Sequence, residues 1–280
     1  MSTGSYTTTW ASHSSMSDFL KCPKSYYLRD VYRDPRTKHK LAIINPSLAL
    51  GQSVHEVLES LSTLPVEERL RVSLLDKYED VWSHLVGKKG GFHSQDEEDE
   101  YKQRGKKMLQ TVIDNPGPIA NKAVALKIDD PSFTLPRYKI SIEEDIMLCG
   151  KIDWMEYMPE TNSVHIIDFK TGKHEEDPGS LQLAIYCLLV KNLQKRDIHK
   201  VSYWYLDSES EPREVPMPDL EDAKRKIIDI ALKMKVARAQ KVFNCPKGNG
   251  GCYACAPFTA IMDGHAQLVG TSSYQDIYIL

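Results

Sequence analysis

Residues 150–186 constrain the fold of this chain more than any other stretch. Two apolar segments with strand character flank the turn at 159–162, and this arrangement predicts a β-hairpin. Because side chains alternate between the two faces of a strand, Asp168 and Lys170 would project to the same side of the sheet. Asp153 lies on the partner strand and can lie beside them. The pattern therefore predicts two carboxylates and one ammonium group on one small patch of sheet.

Paired carboxylates of this kind can hold a hard divalent cation such as Mg²⁺. A bound cation activates water and stabilises charge on a phosphate, and a nearby lysine can orient the nucleophile. The alternative is a solvated ion pair on an exposed strand face, which is the better interpretation of an isolated Asp-x-Lys triplet. Here the strand before Asp168 is almost entirely apolar, with Val164, Ile166 and Ile167. An aspartate that ends a buried strand favours a functional site.

The composition bounds the class of protein. With 280 residues the chain can form one large domain or two small ones, and 41% hydrophobic and 27% charged residues are typical of a soluble globular protein. The net charge of -3 excludes a generally basic nucleic-acid coat, so nucleic-acid contacts would need a local patch. Without an apolar run of membrane-spanning length or a secretion signal in residues 1–10, we expect a cytoplasmic protein with no membrane partner.

Three of the six cysteines, Cys245, Cys252 and Cys255, fall within eleven residues of a Gly-rich segment. Without a secretion signal, disulfides are not expected, and clustered cysteines favour metal or cluster ligation. The C-x₂-C step bends easily around one metal ion or one cluster iron. Cys22 alone would be a buried structural thiol, but with it the count reaches four, the usual number for Zn²⁺ or an iron–sulfur cluster. The alternative is a set of unrelated reduced thiols.

A helix is predicted from about residue 47 to residue 61, where apolar residues recur at helical spacing. His55 and Glu59 lie four residues apart and therefore share one face of it. Taken alone, His55 would be an ordinary surface or core histidine. Beside a carboxylate site it becomes a candidate third metal ligand.

Two further segments place polar residues near the predicted hairpin. A helix predicted over 178–193 puts Gln182 and Tyr186 on one face. Glu143 closes an alternating segment that begins at Tyr138, so it could face the same patch as Asp153.

A long basic helix is predicted over 218–242 and is the best candidate for a DNA-facing surface, although a solvated face is the alternative. Its positive charges are Lys224, Arg225, Lys226, Lys233, Lys235, Arg238 and Lys241.

Five motifs occur in one order: the Ser-rich opening to Cys22-Pro23, Gly51-x₃-His55, Gly150-x₂-Asp153, Asp168-Phe-Lys170-Thr-Gly172 and Gln182-x₃-Tyr186. With the cysteine cluster they cover residues from about 14 to 255. Each motif is weak alone, and the ordered set is specific. It resembles the RecB-like branch of the PD-(D/E)XK nuclease superfamily, including the CRISPR-associated RecB-like exonucleases and the nuclease domains of RecB/AddB helicase–nucleases.

The resemblance implies a role for each matching residue. His55, Asp153 and Asp168 would be metal ligands with the backbone carbonyl of Phe169, Lys170 would be the catalytic lysine, and Gln182 and Tyr186 would contact or orient the nucleic-acid strand. The resemblance also implies a [4Fe–4S] cluster on Cys22, Cys245, Cys252 and Cys255. Members of this branch typically carry a cysteine after the C-x₂-C step, whereas here the additional one precedes it. Zn²⁺ therefore stays open as the alternative.

The implied fold is α/β, with a restriction-endonuclease-like core in which helices flank a central mixed β-sheet containing strands from 138–169. We expect a single domain over 1–280. Its parts would be N-terminal helices at 14–64, a helical cap at 65–118, the catalytic sheet and motif helix at 119–210, and the basic helix with the cysteine-rich C-terminal region at 211–280.

The implied function is that of an Mg²⁺- or Mn²⁺-dependent nuclease that hydrolyses phosphodiester bonds in DNA. It would be an exonuclease, and an additional endonuclease activity is left open. The substrate would be single-stranded DNA or DNA with free ends, in DNA processing, recombination and repair, or CRISPR adaptation. The expected partners are helicase, recombination or CRISPR-adaptation proteins. The expected location is the cytoplasm of a prokaryote or, for a phage protein, the cytoplasm of its host. The alternatives are an inactive nucleic-acid-binding or assembly subunit of the same fold, and a zinc-stabilised protein that is not a nuclease.

Overall fold

The computed structural model describes residues 8–128, 130 and 132–280, and the chain divides into two compact units. The first unit consists of Met1–Ile43, Ile128–Gly150 and Asp219–Leu280. The second unit consists of Ile44–Lys127 and Lys151–Pro218. Each unit is therefore assembled from segments that are far apart in the sequence.

The first unit contains two three-stranded sheets with four α-helices among its described residues. One sheet has the order β1-β4-β3, with β1 at Thr9–Ala11, β3 at Arg137–Ser141 and β4 at Ile146–Cys149. The other has the order β2-β10-β9, with β2 at Lys40–Ile43, β9 at Gln267–Thr271 and β10 at Gln275–Ile279. The helices are α1 (His13–Lys21), α2 (Pro23–Tyr26), α8 (Leu220–Gln240) and α9 (Ala256–Met262).

Helix α1 ends at a point that fixes the position of Cys22. Its N-cap is Ser12, whose hydroxyl accepts a hydrogen bond from the Ser15 amide while the Ser15 hydroxyl accepts one from the Ser12 amide. Cys22 has an extended backbone, and Pro23 begins α2 directly after it. A proline is favourable at the first position of a helix because its fixed φ already suits the helix. Cys22 is therefore held at the junction of two helices.

The second unit contains a mixed sheet with the strand order β5-β6-β7-β8. Its strands are β5 (Trp154–Met158), β6 (Ser163–Lys170), β7 (Ile198–Tyr205) and β8 (Arg213–Val215). Strand β6 pairs antiparallel with β5, which confirms the predicted hairpin, and parallel with β7. Helix α7 (Gln182–Leu193) lies in the connection between these two parallel strands.

The α/β fold class with mixed sheets is confirmed, but the strands of residues 138–169 do not form one sheet. Strands β3 and β4 belong to one sheet, and β5 and β6 belong to another. The reason is the hydrogen bonding of β4, which pairs with β1 on one edge and with β3 on the other. Strand β4 therefore has no free edge for β5.

Helices α3 (Pro46–Ser60), α4 (Val66–Arg69), α5 (Leu74–Ser83) and α6 (Gln95–Asp114) complete the second unit. The predicted helix over 47–61 agrees with α3, and α4, α5 and α6 lie in the segment predicted as a helical cap, 65–118. Helix α5 is separate from α4 because Ser73 caps a new helix by accepting a hydrogen bond from the Asp76 amide. In the part of the chain that the structure describes, no helix is both long and apolar enough to span a membrane.

Candidate functional sites

The hairpin of β5 and β6 brings two aspartates together in the second unit. Asp153 immediately precedes β5, and its Oδ2 accepts a hydrogen bond of 2.9 Å from the backbone N–H of Phe169 on β6. Asp168 lies next to Phe169 and is only 1% exposed. The backbone of β6 therefore anchors the Asp153 carboxylate.

Lys170 and the first residues of α7 surround Asp168. The Lys170 Nζ atom lies 2.9 Å from Asp168 Oδ2, 2.7 Å from Glu176 Oε2 and 2.6 Å from Gln182 Oε1. The Gln182 side-chain amide donates to Asp168 Oδ1 at 2.6 Å and to the Tyr186 hydroxyl at 3.1 Å. These contacts fix the orientations of the lysine, the glutamine and the tyrosine relative to the carboxylate.

His55 and Glu59 reach the same site from α3. The His55 Nδ1 atom lies 3.4 Å from Asp153 Oδ2 and 4.0 Å from Glu59 Oε1, and Glu59 also forms an ion pair with Lys151. His55, Glu59 and Asp153 each offer one ligand atom, and these atoms lie within 4.8 Å of one another. We call His55, Glu59, Asp153, Asp168 and Lys170 the carboxylate–lysine site.

Two acidic residues of this region were not among the residues that the sequence suggested for the site. Glu59 had a usable signal, because it follows His55 by four residues on the same helical face. Glu176 had none, since it lies in the irregular segment between β6 and α7.

The titration behaviour of the site reflects burial and crowded negative charge. Burial and the nearby charge of Asp153 raise the pKa of Asp168 to about 7, although Lys170 and His55 oppose the rise. Burial lowers the pKa of His55, but Asp153, Asp168 and Glu59 outweigh this effect, so the net direction is upward. Burial likewise raises the pKa of Glu59, partly offset by Lys151. A bound cation would relieve this repulsion.

The carboxylate–lysine site fits a hard divalent ion. The buried Asp168 is paired with Lys170, whose Nζ atom lies 2.9 Å from Oδ2, and accepts a hydrogen bond from Gln182 at Oδ1, yet burial and Asp153 still oppose its ionisation. The carboxylates of this region are Glu59, Asp153, Asp168 and Glu176, and the ammonium groups are Lys151 and Lys170. Four carboxylates thus face two ammonium groups, and a divalent cation would balance the excess negative charge. Carboxylate oxygens with one imidazole suit Mg²⁺ or Mn²⁺.

Phe169 and Glu143 complete the set suggested by the sequence. The Phe169 ring packs against His55 and Trp204, each with a centroid distance of 6.0 Å, and ligation by its carbonyl stays a prediction. Glu143 is exposed and lies in the turn after β3, which ends at Ser141. The prediction that Glu143 ends a strand is therefore wrong, and this residue belongs to the first unit, whereas the carboxylate–lysine site belongs to the second.

The first unit brings together Cys22, Cys245, Cys252 and Cys255, whose sulfur atoms all lie within 4.8 Å of one another. The Sγ atom of Cys255 lies 3.9 Å from that of Cys252 and 3.8 Å from that of Cys245. Backbone N–H groups donate to two of the sulfurs, from Cys252 to Cys255 at 3.2 Å and from Lys247 to Cys245 at 3.4 Å. Four convergent thiols fit a thiolate-ligated metal centre.

The thiols differ in how readily they ionise. Backbone hydrogen bonds lower the pKa of Cys252 to about 7, whereas burial raises the pKa of Cys22 to about 12. Metals bind thiolates, so a bound metal would have to deprotonate Cys22. Gly251 has a φ of +73°, and a Cβ atom there would lie 3.4 Å from the Cys255 sulfur. This left-handed turn beside the sulfurs therefore favours glycine.

The sulfur spacing bears on the kind of centre. A zinc ion with Zn–S bonds of about 2.3 Å sets its tetrahedral sulfurs about 3.8 Å apart, which matches the distances of 3.8 and 3.9 Å. In a [4Fe–4S] cluster each cysteine binds a different iron, so the sulfurs lie farther apart. The spacing is compatible with one ion, while the sequence resemblance implies a cluster.

The basic helix α8 is partly neutralised by its own acidic residues. Arg225 and Lys226 pair with Asp222, and Lys233 pairs with Asp229. A role of this helix in DNA contact stays a prediction.

Comparison with known proteins identifies a common fold and family. A family model described as the PD-(D/E)XK nuclease superfamily matches residues 11–257. A search of curated proteins gives no match. Among solved structures, one of a protein from Eubacterium rectale, provisionally assigned as an exonuclease, has a TM-score of 0.51 and 12% sequence identity, covering 97% of this chain and 95% of that one. At this identity the likeness shows the fold alone.

Proposed function

Because the chain belongs to the PD-(D/E)XK nuclease superfamily, we propose that it is a metal-dependent DNA nuclease that hydrolyses phosphodiester bonds at the carboxylate–lysine site. The observation that carries the proposal is the buried Asp168, which lies beside Asp153 in an excess of negative charge although Lys170 pairs with it. Such an arrangement is costly unless a cation completes it.

The proposed ligands of Mg²⁺ or Mn²⁺ are His55, Asp153 and Asp168. Glu59 is a further candidate, because its carboxylate lies within 4.8 Å of the ligand atoms of His55 and Asp153. When bound, the ion would neutralise charge on the phosphate and activate water. The carboxylates and the imidazole come from α3 and the β5–β6 hairpin, so they are held by rigid elements. This rigidity lets the side chains keep their geometry without reorganisation during the reaction.

Lys170 is a cationic side chain that the protein itself places at the carboxylate–lysine site. Asp168 and Glu176 raise its pKa against the lowering effect of burial, so the side chain is a cation at neutral pH. Its position is fixed by three oxygen acceptors before any substrate binds. We propose that it stabilises charge on the scissile phosphate or orients the attacking water, while Gln182 and Tyr186 orient the DNA strand.

The proposed substrate is single-stranded DNA or DNA with free ends, attacked as by an exonuclease. The ordered motifs, which resemble those of RecB-like exonucleases, support this choice over an endonuclease. We place the reaction in DNA processing, recombination and repair, or CRISPR adaptation in a prokaryotic or phage-infected cytoplasm, with a helicase or recombination protein as partner.

A cleavage panel tests this proposal. Linear end-labelled and circular DNAs, single- and double-stranded, are incubated with Mg²⁺, Mn²⁺ or no added ion. We expect ion-dependent release of nucleotides from linear DNA by the wild type and no cleavage by Asp168→Ala or Lys170→Ala. The matched control is Lys173→Ala, which changes an exposed lysine three residues farther along. Undiminished cleavage by both site variants would remove the mechanism, and DNA binding without cleavage by the wild type would indicate an inactive subunit.

We further propose that Cys22, Cys245, Cys252 and Cys255 hold a structural metal centre that fastens the junction of α1 and α2 to the segment before α9. The convergence of the four sulfur atoms supports this proposal. A brown protein that absorbs near ~400 nm and contains iron would identify the [4Fe–4S] cluster. A colourless protein with one equivalent of zinc would identify the single ion with which the sulfur spacing is compatible. Protein that is fully stable and free of both metals would refute the proposal.

A further inference from the structure

The first unit contains a cavity that the reaction proposed above does not use. Its volume is about 400 Å³, within the range of roughly 300–1,000 Å³ that small-molecule sites occupy. Three cationic side chains line it, Arg33, Lys40 and Arg238, together with Asp30 and the aromatic residue Trp10. All of them belong to the first unit, whereas the carboxylate–lysine site belongs to the second.

The charge of the cavity favours an anion. Lys40 forms an ion pair with Asp30 at 3.6 Å, and Asp30 is the only carboxylate among the described residues that line the cavity. Three positive charges against one negative charge leave an excess of two. The pKa of Arg33 is lowered, first by burial and then by the charge of Arg238, although Asp30 opposes the shift. Arg33 and Arg238 both line the cavity, so an anion bound inside it can contact both guanidinium groups.

Arg33 is positioned by the backbone. Its Nη1 atom donates to the carbonyl oxygens of Asp30, Val31 and Tyr32 at 3.0, 3.1 and 2.7 Å. These bonds hold the planar guanidinium in place through one of its nitrogens. A guanidinium held in this way suits phosphate, because its donors match the geometry of phosphate oxygens.

Trp10 supplies an aromatic surface beside the charges. Its ring stacks on Phe133 at a centroid distance of 5.5 Å and an interplanar angle of 24°, which supports it from one side. The side chain is nevertheless partly exposed and lines the cavity. Tyr26 also lines the cavity but is 2% exposed. Trp10 is therefore the better surface for stacking a base.

We propose that this cavity binds one nucleotide unit of single-stranded nucleic acid, with its phosphate on Arg33 and Arg238 and its base against Trp10. Phosphate-binding arginines beside a stacking aromatic ring are the combination that single-strand-binding proteins use without reading sequence. A free mononucleotide presents the same chemistry, so the experiment has to separate the two sources. The proposal concerns binding and does not require that the protein cleaves its ligand.

Tryptophan fluorescence gives a selective measurement. Of the four tryptophans, Trp82, Trp154 and Trp204 are 0%, 1% and 0% exposed, so Trp10 is the one that a ligand can reach directly. The full-length protein, without added divalent ion, is titrated with a short oligothymidylate, with thymidine monophosphate and with inorganic phosphate. We expect saturable quenching by the oligonucleotide, weaker quenching by the mononucleotide and almost none by phosphate. Trp10→Phe should abolish the signal.

Arginine variants connect the signal to the cavity. We expect Arg238→Gln to weaken oligonucleotide binding about tenfold or more, since it removes a charge-assisted contact, and Arg238→Lys to restore part of the affinity. The matched control is Lys233→Gln on the same helix, because Lys233 is 60% exposed and pairs with Asp229. Urea unfolding of each variant separates lost binding from lost folding.

The outcomes that would overturn the proposal are distinct. Unchanged affinity in Arg238→Gln, or an equal loss in Lys233→Gln, would remove the cavity as the binding site. Equal affinity for mononucleotide and oligonucleotide would assign the cavity to a free nucleotide rather than a strand. Equal affinity for inorganic phosphate would remove the base contact. Asp168→Ala should keep the Trp10 signal, so failure of the nuclease proposal would leave this result intact.

Discussion

Strand β6 carries a buried polar group on each of its faces, and the two groups differ in whether the charges around them are balanced. His165 and Asp168 are three residues apart, so their side chains point to opposite faces. On the first face, His165 Nδ1 lies 2.9 Å from Glu156 Oε2 and His165 Nε2 lies 2.8 Å from Ser202 Oγ. The Asn121 side chain donates to the other Glu156 oxygen at 2.6 Å. We call these four residues the Glu156 cluster.

The Glu156 cluster has the order of groups of a Ser–His–Glu hydrolytic triad, but its charges are already balanced by its own contacts. Burial raises the pKa of Glu156, yet the hydrogen bonds of His165 and Asn121 outweigh it, so the net direction is downward. Ser202 is 1% exposed, and a nucleophile has to reach its substrate. The cluster therefore stabilises the sheet, and its geometry alone does not indicate catalysis.

The carboxylate–lysine site, in contrast, has more carboxylates than cationic side chains to balance them. Asp168 is as deeply buried as Ser202, but a metal ligand needs to contact only the ion. The side chains of His55 and Glu59 are 26% and 19% exposed, so the site is open to solvent on their side. Incomplete electrostatic balance, rather than burial or residue type, distinguishes a binding site from a structural cluster.

The largest contrast should appear in cleavage. Asp168→Asn replaces an anionic ligand by a neutral amide, and we expect a loss of about 10²-fold or more in the single-turnover rate. Glu156→Gln should leave the rate of the folded protein nearly unchanged. Similar losses in both variants, measured with equal fractions of folded protein, would contradict the distinction between the two faces.

The free energy of unfolding should show the opposite order, with the larger effect at Glu156 and the smaller one at Asp168. Glu156→Ala leaves His165 and Asn121 without their acceptor, and we expect a loss of about 3–5 kcal/mol in the free energy of unfolding. Asp168→Asn removes a carboxylate whose ionisation is opposed by burial and by Asp153, so the metal-free protein should be equally or more stable. Urea unfolding in metal-free buffer measures both values. A larger loss for Asp168→Asn would show that its carboxylate is structural.

Divalent ions should stabilise the folded protein through the carboxylate–lysine site and not through the Glu156 cluster. Mg²⁺ or Mn²⁺ at 100 times its dissociation constant should add about 2.7 kcal/mol to the stability of the wild type. Glu156→Gln should keep this increment, and Asp168→Asn should lose most of it. Thermal unfolding at several ion concentrations provides the measurement, and an increment that is unaffected by Asp168→Asn would place the ion elsewhere.

The smallest effect concerns pH. Burial and then Lys200 lower the pKa of His165 from its usual 6.5, although Glu156 opposes the shift. The unfolded chain therefore binds more protons at mildly acidic pH, and the contribution of His165 to stability is lost as the pH falls through 6.5 and below. His165 can change the free energy of unfolding by at most about 1.4 kcal/mol per pH unit. We expect His165→Gln to have a shallower decrease in stability between pH 7.5 and 5.5, and a steeper one would refute this assignment.

Much of the fold could be predicted where one element produces one periodic pattern. Helix α3 and the β5–β6 hairpin appeared close to their observed bounds. Helix α7 begins at Gln182 rather than at 178, because Asp177 accepts hydrogen bonds from Gly179 and Ser180 and forms a turn there. Strand β2 could not be predicted from local pattern, since it depends on pairing with β10, more than 200 residues away.

For the candidate sites, the sequence indicated which residues to examine but not all of their neighbours. The spacing of Asp168 and Lys170 predicted a shared face, and these side chains are 2.9 Å apart. Glu176 could not be foreseen, because a residue of an irregular segment has no periodicity that indicates where it points. The cavity of Arg33 and Arg238 was equally hidden, since these residues are about 200 positions apart in the chain.

The sequence by itself determined the hairpin, the helical faces and the ordered motifs of the PD-(D/E)XK nuclease superfamily, because each depends on residues within one or two neighbouring elements. Tertiary structure decided which charged groups crowd around Asp168, and that Cys22 meets three cysteines from the other end of the chain. These features depend on burial and on charges brought together from distant segments, and electrostatic interactions of this kind change with every ångström of separation and with exposure to water. The β5–β6 hairpin was readable from local pattern, whereas the unbalanced charge of its site exists only in the folded protein.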